Sequence, residues 1–119
     1  MCRLIPYKNK KIADIKLHHI NNIVEQAQKA PNISRIVLFG SSLEERCTAK
    51  SDIDIAVFGV KSKSRYIDSG EFRRFKKNVF SFDWNQDYDV LYFAENYVCE
   101  DPIMKDINSG VEIYRKEMA

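Results

Sequence analysis

Three short, dense apolar runs constrain this chain more than any other feature. They are Ser34-Arg35-Ile36-Val37-Leu38-Phe39, Ile53-Asp54-Ile55-Ala56-Val57-Phe58 and Tyr88-Asp89-Val90-Leu91-Tyr92-Phe93. Each is rich in β-branched or aromatic residues and only about six residues long, so each reads as a strand, the first two of them buried. The segments between them carry helical spacing. Ile12, Ile15, Ile20, Ile23 and Ala27 fall on one broad face of a predicted helix over 11–30, interrupted by Lys16 and closed by Pro31-Asn32. Residues 43–46 suit a short helix and 61–70 a polar loop. Ser69 is placed to cap a helix through Phe72 and Phe75, and 81–87 is loop. Asp101-Pro102 reads as an N-cap with proline at the first helical position, in a helix that carries Ile103, Met104 and Ile107 and is capped by Gly110. The alternation in Val111-Glu112-Ile113-Tyr114 fits an edge strand. Interleaved helices and strands give an α/β (α+β) class, a single sheet covered by helices.

Composition narrows the function. A chain of 119 residues, 45% hydrophobic and 30% charged, fits a single globular domain that buries about two thirds of its unfolded surface. Lys+Arg 19 against Asp+Glu 17 leaves +2, a balance that does not announce a nucleic-acid partner. No apolar run approaches the roughly 18 residues of a membrane helix. The N-terminal MCRLIPYKNKK lacks the apolar stretch of a secretory signal. Cys2, Cys47 and Cys99 make neither a disulfide framework nor a zinc spacing, and a reduced, cytoplasmic setting is expected. His18 and His19 point about 100° apart on a helix and form no chelating pair.

The chemistry concentrates at the strand starts. In Asp52-Ile53-Asp54 both carboxylates share a face, with Cα atoms about 6.6 Å apart at roughly 3.3 Å per residue. Two such carboxylates repel unless a cation sits between them, and an oxygen-seeking divalent ion would do. Asp89 opens the next apolar run and can complete the cluster if the strands are neighbours. Three carboxylates can hold two Mg²⁺ about 3.5–4 Å apart, the geometry for in-line displacement at phosphorus. Aspartates at strand starts also serve simply to satisfy turn backbone. Gly40-Ser41-Ser42, after the first run, permits a tight turn and close approach of a ligand to backbone and hydroxyls. A plain Gly-Ser turn is the other reading. There is no GxxxxGK and no GxGxxG.

Together, LFGSSLEERCTAKSDIDIAVFG and the later YDVLYF resemble the signature of the nucleotidyltransferase superfamily, the polymerase-beta-like fold. The pattern is hydrophobic-Gly-Ser, about ten residues, Asp-x-Asp, and a third acid on a later strand. The resemblance spans roughly 12–115 and leans to the small minimal nucleotidyltransferase (MNT) proteins, which often act as antitoxins beside HEPN-domain toxins. It implies a mixed sheet and a set of roles. Gly40 and Ser41, with Ser42 beside them, would hold the phosphates of a nucleoside triphosphate such as ATP. Asp52, Asp54 and Asp89 would ligate two Mg²⁺, and Asp89 would help deprotonate the attacking hydroxyl. The product would be a nucleoside monophosphate, AMP by resemblance, on a hydroxyl of a partner protein, a HEPN-like toxin.

The sequence departs from the family just after Gly-Ser. An Arg and a Gly are frequent there, but this chain has Leu43-Glu44-Glu45-Arg46-Cys47. Those glutamates favour a second reading, a binding module that keeps the fold and neutralises a partner by occlusion. A sugar-nucleotide glycosyltransferase needs a larger nucleotide-binding domain than 119 residues provide. Lys61, Lys63, Arg65, Arg73, Arg74, Lys76 and Lys77 either steer an anion or form a solvated face. Phe72, Phe75, Phe80, Phe82 and Trp84 read as core or partner surface rather than a base-stacking platform. After the sheet no residues are expected to remain for a helical acceptor domain, so the acceptor site would be built by a partner protein, by another copy of the chain, or not at all.

Overall fold

The three apolar runs become neighbours in one sheet. The computed structural model describes residues 2–97 and 102–116. They fold as β3 (Ile33–Phe39), β4 (Ile53–Gly59) and β5 (Tyr88–Ala94), and β6 (Val111–Arg115) joins them in the order β5-β4-β3-β6. The sheet is mixed: β3 runs antiparallel to β4 and to β6, whereas β4 and β5 are parallel. A parallel pair needs a long crossover. Here α2 (Lys63–Tyr66) and α3 (Gly70–Ser81) supply it.

Alternation sorts the side chains to two faces. Ile36, Leu38, Ile53, Ile55 and Val57 point to one side and meet Ile20, Ile23 and Ala27 of α1 (Leu17–Gln28) and Phe72, Phe75 and Val79 of α3. Val37, Phe39, Ala56 and Phe58 point to the other and meet Ile107 of α4 (Pro102–Asn108). Ser69 caps α3 as expected, its hydroxyl accepting from the Phe72 N–H at 3.1 Å.

Local expectations fail where tertiary pairing outweighs spacing. Residues 11–13 are not helical. They belong to β2 (Lys10–Ala13), which forms an antiparallel hairpin with β1 (Leu4–Tyr7), and α1 begins only at Leu17. Ile12 and Ala13 are buried in either reading, so their spacing could not separate the two. Residues 44–46 are not helical either. A 3₁₀ turn spans Gly40–Leu43 and the chain is extended at Glu44. Within 61–70 a helical turn forms because Tyr66 is driven into the core. Pro102 does open its helix, while Asp101 and Cys99 lie outside the described residues.

As predicted, β6 is an edge strand. The hairpin shields it: Lys8 Nζ donates to Glu112 O at 3.1 Å and Lys10 Nζ to Gly110 O at 2.9 Å. Lysines at an edge oppose pairing with foreign strands. No helix among the described residues is long and apolar enough to cross a membrane.

Candidate active site

Pairing register brings the predicted acids to one end of the sheet. Asp54 is paired with Asp89 across the parallel β4–β5 ladder and with Phe39 across the antiparallel β3–β4 ladder. Paired residues share a face, and adjacent strands lie about 4.8 Å apart. The Asp54 and Asp89 side chains therefore stand side by side, on the face opposite Ile53 and Ile55. Asp52 is exposed and sits one residue ahead of β4.

Electrostatics tie the three together. Asp54 is half-buried and Asp89 exposed. Burial pushes the Asp54 carboxyl above its ordinary value, and the charges of Asp89 and then Asp52 push it further. Among the described residues no hydrogen bond neutralises the Asp54 carboxylate, and no three His, Cys, Asp or Glu side chains converge on one point as they stand. That arrangement still suits Mg²⁺, which keeps several waters and takes one or two carboxylates plus substrate phosphates. The donor set, all hard carboxylate oxygen around an unpaired half-buried acid, fits such an ion.

The Gly-Ser turn closes on the same acid. Gly40 has φ of 79°, the left-handed region that glycine alone enters without strain. A Cβ at this position would press into Asp54 Oδ2. Glycine is thus required for conformation and for contact. Ser41 Oγ donates to Asp52 O at 3.4 Å. Ser42 is fully buried, its hydroxyl unpaired among the described residues. The first of the two glutamates is balanced locally, since Arg46 Nε donates to Glu44 Oε2 and holds that carboxyl below its usual range.

Two buried polar residues, Lys16 and Gln86, hold the segment that leads into Asp52. Lys16, 1% exposed, donates to Ser51 O at 2.8 Å, to Ala49 O at 3.3 Å and to Gln86 Oε1 at 2.6 Å. The signal was its interruption of an otherwise apolar face. Gln86 carried no signal in the sequence. The basic residues of α3 sit on the helix layer across the sheet from Asp54. The aromatic group divides: Phe72 and Phe75 are core, whereas Phe82 and Trp84 are 49% and 74% exposed.

Comparison with known proteins adds the family. The polymerase beta, nucleotidyltransferase family matches residues 21–118. The chain belongs to that family. Its fold is also that of solved relatives. One is the structure of a tri-AMPylated Shewanella oneidensis HEPN toxin in complex with MNT antitoxin, similar at a TM-score of 0.56 and 19% identity over 85% of this chain and 73% of that one. Another is the toxin–antitoxin MntA–HepT, at 0.55 and 18% over 84% and 73%. No curated protein sequence matches the chain. Within a nucleotidyltransferase, the row Phe39, Asp54, Asp89 and the Gly40 turn occupy the end of the sheet where β3 finishes and β4 and β5 begin.

Proposed function

We propose that this nucleotidyltransferase moves AMP from ATP onto a hydroxyl of a partner protein, and that the partner is a HEPN-type toxin which the chain restrains as its antitoxin. The observation that carries the reading is the side-by-side pair Asp54 and Asp89 beneath a glycine turn that touches Asp54. The acceptor oxygen bonds to the α-phosphorus as the bond from that phosphorus to the pyrophosphate oxygen breaks. Asp89, whose side chain is exposed, would take the hydroxyl proton. Asp52, Asp54 and Asp89 would hold two Mg²⁺, which when bound neutralise phosphate charge. Gly40, Ser41 and Ser42 form the turn offered to the β- and γ-phosphates. Cys2 and Cys47 are free thiols, which suits a cytoplasmic setting. The α3 cations lie on the other layer of the sheet and take no part in the step.

The AMP-bearing toxin in the similar complex supports the choice of nucleotide and acceptor. The test is transfer of label from α-labelled ATP to a HEPN partner with Mg²⁺ present, repeated with Asp52→Asn plus Asp54→Asn. Transfer is expected only with the native acids, and transfer that survives the double substitution refutes the assignment. Mg-ATP should also raise the melting temperature, because a ligand that binds only the native state adds about 2.7 kcal/mol at a hundred times its Kd. Absence of that shift at millimolar Mg-ATP favours the occluding module instead.

A further inference from the structure

Three polar features fall outside the reaction: the buried Lys16–Gln86 pair, the partly exposed His19–Asp83 pair and the half-buried Glu71 cluster at the opposite end of the sheet. The first lies nearest the acids. Lys16 ends the 3₁₀ turn Asp14–Lys16 that precedes α1, and among the described residues its ammonium has no carboxylate partner. Its three protons instead meet three acceptors, Ala49 O, Ser51 O and Gln86 Oε1. Gln86, 7% exposed, spends both amide protons as well, on Ser51 O at 2.9 Å and Asp87 O at 2.7 Å.

The acceptors are informative. Ser51 immediately precedes Asp52, and Asp87 precedes Asp89 by two residues. The first bond between the two segments, Ile53 N–H to Asp87 O at 3.0 Å, lies just beyond the pair. One buried knot therefore binds the leading segments of both acid-bearing strands to each other and to the base of α1. An apolar residue of similar length could fill the Lys16 site, and burying an ammonium there is costly. What an apolar residue could not do is hold two loop carbonyls and an amide at fixed separations.

We propose that Lys16 and Gln86 are positioning residues that set the spacing of Asp52 and Asp54 against Asp89, and so set the affinity of the site for a divalent cation. The cation part rests on the function proposed above, while the spacing part does not. Groups that orient metal ligands typically contribute about 10–100-fold to metal affinity. The pair also shares one network, so its effects should not add.

The experiment measures Mn²⁺ binding to the folded chain by electron paramagnetic resonance, and Ile53 amide hydrogen exchange by NMR. The variants are Lys16→Met, Gln86→Met, the double variant and Asp54→Asn. Val79→Ala serves as a control that loosens the core without touching the site. Lys16→Met and Gln86→Met should each weaken Mn²⁺ binding at least tenfold and speed Ile53 exchange. The double variant should be no weaker than the worse single, and Val79→Ala should leave Mn²⁺ affinity within twofold. Unchanged affinity and unchanged Ile53 exchange in the single variants overturn the proposal, as does an equal loss in Val79→Ala. Should Lys16→Met fail to fold, Gln86→Met decides by the same two readouts. If the native chain binds no Mn²⁺, or Asp54→Asn binds it equally well, the metal reading fails and Ile53 exchange alone judges the spacing.

Discussion

Two acids at opposite ends of the same sheet are treated in opposite ways. Glu71, at the start of α3, is closed off by donors: Tyr66 Oη at 2.5 Å, Asn32 N–H at 3.1 Å and Asn32 Nδ2 at 3.1 Å. It fastens α3 to the chain just ahead of β3. Asp54, at the other end, is half-buried with no donor among the described residues and two like charges nearby. A half-buried acid supplied with donors on both oxygens serves the fold. An acid left short of bonds and facing its own kind carries its charge at a cost to the fold, which is the pattern the proposed cation site calls for.

The largest expected effects exchange these roles. Asp54→Asn should cut nucleotidyl transfer by about 10³-fold, the loss of several kcal/mol of transition-state stabilisation. It should leave the fold intact by circular dichroism. Glu71→Ala should do the reverse. It strands a phenol and two amide donors, costs about 3 kcal/mol in thermal denaturation, and leaves turnover per folded molecule within twofold. If Glu71→Ala abolishes transfer at a temperature where the chain is still folded, the contrast between the two ends fails.

The next effect couples the turn to the acid. Gly40→Ala forces a side chain into the left-handed region at a cost of about 1–3 kcal/mol and drives its Cβ toward Asp54 Oδ2. Both stability and transfer should fall. Gly70→Ala is the matching control, because a Cβ there meets nothing within 4 Å. Equal transfer by the two variants would separate the turn from the acid.

How much of this was legible in advance depends on the range of the interaction that decides it. The strands around Ile36 and Ile55 are readable because burial on both faces leaves a dense apolar run, and the half-buried edge strand around Val90 is readable from its β-branched and aromatic residues. The cap at Ser69 was readable because it is satisfied three residues away. Asp52-Ile53-Asp54 and Asp89 could be named as candidates, but their meeting depended on β4 and β5 being parallel neighbours in one register, which no local pattern encodes. The hairpin over Leu4–Ala13 was missed because Ile12 and Ala13 are buried by partners that the helical reading also supplies. Lys16 was visible only as a blemish on an apolar face. Its purpose lies 33 to 70 residues away, at Ala49, Ser51 and Gln86.

The smallest expected effect sharpens the comparison most, because it is read without a substrate. Burial and two neighbouring charges raise the Asp54 pKa in the folded chain above its ordinary 3.8. Between that ordinary value and the raised one, the folded state binds more protons than the unfolded state, so stability falls as pH rises. The penalty is absent below the ordinary value and complete above the raised one. In metal-free buffer at pH 7, Asp54→Asn should therefore be more stable than the native chain, by about 1 kcal/mol, the usual scale of a stabilising charge change. The gap should close as the pH is lowered toward 4. Mg²⁺ should close it from the other side by stabilising only the native chain. A native chain that melts above Asp54→Asn at pH 7 without metal would mean that Asp54, like Glu71, already has its partners within the fold.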